Sequence, residues 1–209
     1  PDYATPIIAG NVSFYNESKK GAIPPSPIVS CLGRLNNVNK AVPMHFQKTG
    51  SIILMLGQRK DELGGSVYYT LHNELGANVP KPDLEEVKKQ IFALTDCIDT
   101  ELVFSCHDIA DGGVASAIAE MTFGNGIGCN INIESDLPAD KLLFSETGGF
   151  VLEISTENVD PVKSMFANYG LDIFQIGTTD EDQIQINGVI ELGLSKTKNV
   201  WINGLREKL

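Results

Sequence analysis

Short apolar runs alternate with helical patterns from residue 51 onward, and this alternation constrains the fold more than any other feature of the chain. The run at residues 51–56 reads SIILML and lies between two glycines, which predicts a buried strand. A helix is predicted to begin after Pro82, with Asp83 as its N-cap and two glutamates in its first turn. We therefore predict an α+β domain in which helices cover a mixed sheet.

The same reasoning places the other elements. The helix after Asp83 carries apolar residues at three- and four-residue steps, so one buried face is expected, made by Leu84, Val87, Ile91, Leu94 and Ile98. The helix after residue 113 should bury Val114, Ile118 and Met121. Further strands are predicted over residues 102–106, 127–133, 149–154, 171–176 and 184–186, and further helices over residues 63–75, 159–169 and 195–209.

The first 48 residues follow a different pattern. Residues 7–9 resemble the end of a strand, residues 16–27 are rich in Asn, Lys, Gly and Pro and are predicted to form a loop, and residues 28–35 are predicted to form a second strand. We place a domain boundary near residue 48. This gives one domain over residues 1–48 and another over residues 49–209.

Composition excludes several classes of function. The chain has 209 residues and a formal net charge of −11, so it lacks the basic surface that nucleic acids or anionic membranes require. No stretch approaches the roughly 18 uninterrupted apolar residues of a membrane span. The four cysteines, Cys31, Cys97, Cys106 and Cys129, form no C-x-x-C pair and are expected to be reduced core thiols of a cytoplasmic protein.

Residues 10–18, which read GNVSFYNES, are the strongest candidate for a binding segment. Gly10 lets a ligand approach the backbone closely, and Asn11 offers a carbonyl oxygen that suits Mg²⁺. In an extended segment Asn11, Ser13 and Tyr15 point to the same side. On residue types alone, a polar edge strand explains this pattern equally well.

Residues 105–113 bring two carboxylates to the start of a predicted helix. Asp108 and Asp111 could hold a polyphosphate through a cation, but capping of the helix is the favoured interpretation. His107 follows a buried strand and is interpreted as a structural histidine. A second polar segment, residues 143–150, could present Glu146 and Thr147 to a ligand or form a tight connection, and the sequence leaves this open.

Five blocks occur in a fixed order along the chain. They are residues 10–18 (GNVSFYNES), 23–29 (IPPSPIV), 61–66 (DELGGS), 106–113 (CHDIADGG) and 144–149 (FSETGG). Together they resemble the C-terminal part of the phosphoribosylformylglycinamidine synthase family, the synthetase subunit of formylglycinamide ribonucleotide amidotransferase. The first block is highly specific, and the others also resemble related ATP-dependent enzymes such as aminoimidazole ribonucleotide synthetase.

The resemblance implies a domain organisation. The synthetase of this family is an internal duplication, with two ATP-binding-type halves and two C-terminal-type halves. Residues 1–48 would be the tail of the second ATP-binding-type domain. Residues 49–209 would be the second C-terminal-type domain, with the fold of the aminoimidazole ribonucleotide synthetase C-terminal domain. The catalytic histidine, the nucleotide lysine and most metal carboxylates of the family would lie in the missing N-terminal domains.

The resemblance also implies roles for three residues. Gly10 would contact ATP, Asn11 would supply an oxygen to Mg²⁺, and Ser13 would contact formylglycinamide ribonucleotide. No catalytic residue would lie in this chain, and the resemblance assigns no role to Tyr15.

The implied reaction is the conversion of an amide into an amidine. ATP phosphorylates the formylglycinamide oxygen to give an iminophosphate, and ammonia then displaces phosphate to form formylglycinamidine ribonucleotide in de novo purine biosynthesis. The implied partners are a glutaminase subunit that delivers ammonia and a small bridging subunit. The isolated chain would be inactive. Two alternatives stay open, namely a non-catalytic docking or structural domain and another ATP-dependent enzyme of the same superfamily.

Overall fold

The computed structural model describes residues 6–11, 16–23, 27–180, 182–204 and 206. The chain divides into two compact units, Pro1–Asn36 (unit 1) and Asn37–Leu209 (unit 2). Within the described part of unit 1, strands β1 (Glu17–Ser18) and β2 (Gly21–Ala22) form a short antiparallel pair. The loop predicted over residues 16–27 therefore contains a small hairpin.

The two strands predicted in unit 1 were wrong. Residues 7–9 and 28–35 have no regular secondary structure, and both Ile7 and Ile28 are 93% exposed. A strand requires a neighbour that pairs with its N–H and C=O groups. Among the described residues of unit 1, only the short hairpin provides such pairing.

Unit 2 contains a mixed sheet, which has seven strands in the described part of the chain. The order across the sheet is β4-β6-β3-β7-β5-β8-β9, and the β5–β8 pair is parallel whereas the other pairs are antiparallel. The strands are β3 (Ile52–Leu56), β4 (Val103–Asp108), β5 (Gly128–Ile131), β6 (Phe150–Ile154), β7 (Ile173–Asp180), β8 (Gln183–Ile186) and β9 (Ile190–Gly193).

Helices cover both faces of this sheet, as the sequence predicts. They are α1 (Val67–Leu71), α2 (Leu84–Asp99), α3 (Gly113–Phe123), α4 (Ala139–Phe144), α5 (Val159–Asn168) and α6 (Leu194–Asn203). Ile53 and Met55 of β3 belong to one core with α3 and α4. Ile52, Leu54 and Leu56 belong to a second core with α2 and α5. Because β3 is buried on both faces, its sequence is a continuous apolar run.

Helix α3 confirms its predicted core face, since Val114, Ile118 and Met121 are each 0% exposed. Helix α4 and strand β9 were not predicted, and α1 is shorter than the helix predicted over residues 63–75. Each is an element of four to six residues, too short for a periodic pattern to stand out.

The predicted buried face of α2 was wrong in part. Asp83 caps the helix as predicted, because its Oδ1 accepts hydrogen bonds from the N–H groups of Glu85 and Glu86 at 3.0 and 3.2 Å. The buried residues, however, are Gln90, Ala93, Leu94 and Cys97, whereas Leu84 is 76% and Ile91 46% exposed. The buried face therefore combines the small side chains of Ala93 and Cys97 with Leu94 and Gln90, while Leu84 and Ile91 point outward.

No described helix is long and apolar enough to cross a membrane. All four cysteines are free, and Cys97 and Cys129 are buried while Cys106 is partly buried. Cys31 is exposed, so its assignment to the core was wrong. Burial raises the pKa of Cys97 to about 11 and the pKa of Cys106 and Cys129 to about 12, with a smaller effect from nearby aspartates.

These thiols should make unit 2 less stable at alkaline pH. Each thiol ionises near pH 9.0 in the unfolded chain and at higher pH in the folded chain. Between these pH values the unfolded chain loses protons that the folded chain keeps. The stability of unit 2 is therefore unaffected by ionisation of the thiols below pH 9 and falls as the pH rises towards 11 to 12. For Cys129 we expect the free energy of unfolding to fall by about 1 kcal/mol per pH unit.

Urea denaturation at pH 8, 9 and 10 measures this slope. The Cys129→Ala variant should show a smaller slope, and the Cys31→Ala variant, which changes an exposed thiol, should retain the wild-type slope. Equal slopes in all three proteins would contradict the prediction.

Candidate functional site

Two of the three predicted binding residues lie in the described part of unit 1. Gly10 and Asn11 are exposed and have no regular secondary structure. Apart from its chain neighbours, no described residue has an atom within 4 Å of the position that a Cβ would occupy on Gly10, so the described surroundings leave the backbone open to a ligand. Ser13 and Tyr15 lie outside the described residues.

Unit 2 contains a cleft of about 580 Å³. It opens at the end of β3, between the N-terminus of α2 and the loop over residues 146–148. Six acidic residues and three lysines line it. The acidic residues are Glu62, Asp83, Glu85, Glu86, Glu146 and Asp172, and the lysines are Lys60, Lys81 and Lys89. The lining is therefore acidic on balance.

Three of the sequence blocks meet at one carboxylate in this cleft. Glu146 Oε1 accepts a hydrogen bond from the N–H of Val67 at 2.8 Å and another from the N–H of Gly112 at 2.9 Å. Val67 directly follows the DELGGS block, and Gly112 lies at the end of the CHDIADGG block. Glu146 thus ties its own loop to the starts of α1 and α3, and the interpretation of a tight connection is favoured over a free ligand group.

The expected capping of α3 by Asp108 or Asp111 was wrong. The N-cap of α3 is Gly112, with a left-handed φ of 77°, and Gly113 follows with a φ of 68°. These two left-handed residues turn the amide of Gly112 towards Glu146. Asp108 ends β4, with its Oδ1 3.4 Å from His107 Nδ1. Asp111 is exposed, and its carboxylate forms no hydrogen bond or ion pair with another described residue.

His107 is a structural residue, as predicted. Its Nδ1 lies 2.6 Å from the carbonyl oxygen of Asp108, and its Nε2 lies 2.9 Å from Glu120 Oε2. The other oxygen of Glu120 accepts a hydrogen bond from Trp201 Nε1 at 3.1 Å. The histidine therefore helps to join β4, α3 and α6.

A second set of hydrogen bonds fixes the same cleft loop. Ser145 is fully buried, and its hydroxyl donates to the carbonyl oxygen of Lys60 at 2.7 Å and accepts from the N–H of Glu62 at 3.2 Å. Thr147 Oγ1 donates to Glu62 Oε2 at 2.9 Å. Both neighbours of Glu146 are thus bound to the segment that follows β3, and the loop is held on each side.

Arg59 lies next to Gly57 and Gly148, two glycines that line the cleft, and its burial was not predicted from the sequence. Its Nη2 donates to the carbonyl oxygen of Gly148, whereas its buried Nε and Nη1 have no partner among the described residues. Burial lowers the pKa of Arg59 to about 10, and the carboxylate of Glu62 opposes this shift. Arg59 is therefore charged at neutral pH and partly offsets the acidic lining. An arginine in the polar run QRKDE gives no sequence signal of burial.

Chemically, the cleft offers a fixed polar surface rather than an assembled metal centre. In the ranges that the structure describes, no group of three or more His, Cys, Asp or Glu is placed to hold a metal ion. Two of the lining carboxylates accept hydrogen bonds from neighbouring protein groups. Glu62 accepts from Thr147, and Glu146 accepts from the amides of Val67 and Gly112.

Replacement of Glu146 should loosen the cleft. Glu146→Ala leaves the buried amide of Gly112 without its acceptor, so we expect a loss of about 1–3 kcal/mol in the free energy of unfolding. Glu146→Gln keeps one carbonyl oxygen and should lose less. Urea denaturation gives the energies, and hydrogen exchange at the Gly112 amide reports the local effect. Glu134→Ala, which changes an exposed glutamate, is the matched control, and an alanine variant at residue 146 as stable as this control would contradict the prediction.

Curated relatives share the whole length of this chain. It is 36% identical over 216 residues to phosphoribosylformylglycinamidine synthase subunit PurL of Methanothrix thermoacetophila, an alignment that covers 100% of this chain and 28% of that protein. It is also 36% identical over 211 residues to the PurL subunit of Alkaliphilus metalliredigens, covering 97% of this chain and 28% of that protein. The chain thus spans little more than a quarter of the length of these relatives.

Solved structures share the fold. T. maritima PurL complexed with FGAR matches with a TM-score of 0.66 at 16% identity, over 77% of this chain and 30% of that chain. T. maritima PurL complexed with ATP matches with a TM-score of 0.61 at 17% identity, over 77% and 28% of the two chains. At these identities the likeness shows the fold alone.

The family assignment comes from residues 48–187, which match the model described as AIR synthase related protein, C-terminal domain. The matched region contains the sheet from β3 to β8 and all of the cleft loops. It covers about two thirds of the chain. The chain therefore belongs to the family of AIR synthase related proteins and contains their C-terminal domain.

Proposed function

We propose that this chain is the C-terminal part of a phosphoribosylformylglycinamidine synthase. The whole protein would be an ATP-dependent ligase that converts formylglycinamide ribonucleotide and glutamine-derived ammonia into formylglycinamidine ribonucleotide in purine biosynthesis. The observation that carries this proposal is the 36% identity to PurL subunits over the whole chain, including the segment before the matched domain. PurL structures with FGAR and with ATP support the choice of substrates.

Gly10, Asn11 and Ser13 are the proposed binding residues. Gly10 would contact ATP, and its open surroundings support this role. Asn11 would bind Mg²⁺, and Ser13 would contact formylglycinamide ribonucleotide. We assign no catalytic residue to this chain, because the carboxylates that fix the cleft of unit 2 are used for structure.

The residues present are compatible with one part of a magnesium site. Asn11 is exposed and can offer a single carboxamide oxygen, whereas Mg²⁺ takes about six oxygen ligands. The remaining ligands would come from the polyphosphate of ATP, from water and from other parts of the protein. When bound, the ion would neutralise charge on the polyphosphate. Asn11 would position that ion, and Gly10 would admit the nucleotide to the backbone.

The exposed apolar residues of unit 1 support its assignment to a larger domain. Ile7, Ile28, Val29 and Leu32 are 88% exposed or more in segments without regular secondary structure. Such exposure is unfavourable in water and is relieved when partner strands cover these side chains. We propose that residues 1–48 include the tail of an ATP-binding-type domain. Residues 49–209, with the segment from Pro43 that packs against them, would form the C-terminal-type domain of the synthetase.

The partners of the whole protein would be a glutaminase subunit and a small bridging subunit, together with the N-terminal domains of its own chain. A structure of PurLQS from Thermotoga maritima, whose fold matches 77% of this chain, supports such a complex. The expected compartment is the cytoplasm, where the three thiols with raised pKa values would stay reduced.

Asn11→Ala in the full-length protein tests the metal role. We expect kcat/KM for Mg-ATP to fall about tenfold or more, since the loss of one ligand interaction is worth at least about 1.4 kcal/mol. The Mg²⁺ concentration for half-maximal rate should rise, while the unfolding midpoint of unit 2 should not change. Asn16→Ala, a nearby carboxamide without a proposed role, is the control. Wild-type turnover in the Asn11 variant would refute the assignment.

The 209-residue chain alone should have no ligase activity. Its predicted role requires groups that lie in other domains, so ADP release with formylglycinamide ribonucleotide and ammonia should stay at background. Calorimetry with Mg-ATP distinguishes a nucleotide-binding part of the synthetase from a docking or structural domain, because a docking or structural domain should give no binding heat. Ammonia-dependent ADP release by this chain would overturn the proposal.

A further inference from the structure

Residues 43–51 of unit 2 have no regular secondary structure, yet several of them are hydrogen-bonded to its strands and to α3. The carbonyl oxygen of Pro43 accepts a hydrogen bond from the N–H of Cys106 at 3.0 Å, on edge strand β4. The ring of Phe46 is 0% exposed within the core, and its N–H donates to the carbonyl oxygen of Met121 at 2.8 Å. Phe46 therefore anchors the segment in the packed interior before β3 begins, although Met44, Lys48, Thr49 and Gly50 are exposed.

A buried carboxylate holds the middle of this segment. Glu153 of β6 is 0% exposed and accepts hydrogen bonds from the N–H groups of Gln47 and Lys48, at 2.7 and 2.9 Å, and from the hydroxyl of Ser105 at 2.7 Å. A carboxylate without water is stable only when such donors surround it. The segment and Glu153 thus depend on each other, because either one alone would leave buried polar groups without partners.

Thr179 of β7 holds the end of the segment. Its Oγ1 accepts from the N–H of Ser51 at 2.8 Å and donates to the carbonyl oxygen of Lys48 at 2.7 Å. Its backbone exchanges hydrogen bonds with Gly50 and Ser51. The ammonium group of Lys48 lies 3.8 Å from the centre of the Phe104 ring. Both backbone polar groups of Lys48 and its side chain are therefore bound.

The anchoring residues Cys106, Glu153 and Thr179 lie on β4, β6 and β7, so the segment crosses the sheet. We propose that residues 43–51 are a rigid strap locked by the Glu153 carboxylate, which opens only when unit 2 unfolds. Residues 43–51 then behave as part of the packed domain rather than as a flexible linker before β3. This proposal does not depend on the proposed enzymatic function.

Native-state hydrogen exchange on the 209-residue chain tests the proposal. The amides of Gln47 and Lys48 should be protected to the same degree as that of Leu54 in the core strand, roughly a thousandfold or more over an unstructured peptide. The exposed amide of Asn36 is the internal reference for a free segment. Exchange of the strap amides at the rate of Asn36 would overturn the proposal.

Two variants test the lock itself. In Glu153→Gln, the strap amides should exchange at least about tenfold faster relative to that of Leu54, because one acceptor oxygen becomes a donor facing other donors. Glu157→Gln, an exposed neighbour, should leave both rates unchanged. If Glu153→Gln does not fold, Thr179→Val is tested instead. The amide of Ser51 should then exchange faster, because it loses its acceptor. Thr179→Ser, which keeps the hydroxyl, should restore the protection of this amide. Wild-type protection of the strap in the folded variant would refute the lock.

Discussion

The burial of strand β3 on both faces is the constraint on which the rest of unit 2 depends. All five residues of Ile52–Leu56 are at most 9% exposed, and the strand pairs with β6 on one side and β7 on the other. Alternate side chains of β3 pack into two separate cores, so helices must cover both faces of the sheet. The strap leads into one end of this strand, and the cleft opens at the other.

Two glutamates near β6 each bind the backbone amides of irregular segments, one at each end of β3. Glu146 precedes the strand and Glu153 lies within it, and each accepts hydrogen bonds from two backbone amides of remote segments. Irregular segments cannot pair their backbone groups with a neighbouring strand, so a carboxylate takes that part. Arg59 differs, because it is buried with one hydrogen bond and two unpartnered nitrogens. Its charge is compensated by the acidic surroundings of the cleft rather than by a direct ion pair.

Local patterns predicted much of the fold. The run of β3, the cap at Asp83 and the buried face of α3 follow from residue type and spacing, which act over a few residues. The buried face of α2 was predicted incorrectly in part, because large apolar residues dominate a periodicity argument, whereas Ala93 and Cys97 pack beside the predicted Leu94. Spacing also could not show that the amide at the start of α3 binds Glu146, a partner 34 residues away.

The sequence by itself determined the fold class, because apolar runs and helical patterns act through short-range spacing. The order of its polar blocks carried the resemblance to the family, and that resemblance is the source of the proposed roles of Gly10, Asn11 and Ser13. Only the tertiary structure decided that Glu146 and Glu153 bind backbone amides, that Arg59 is buried, and that residues 43–51 belong to the packed domain. The physical reason is that a buried polar group is specified by its partners, and those partners come from segments far apart in the chain.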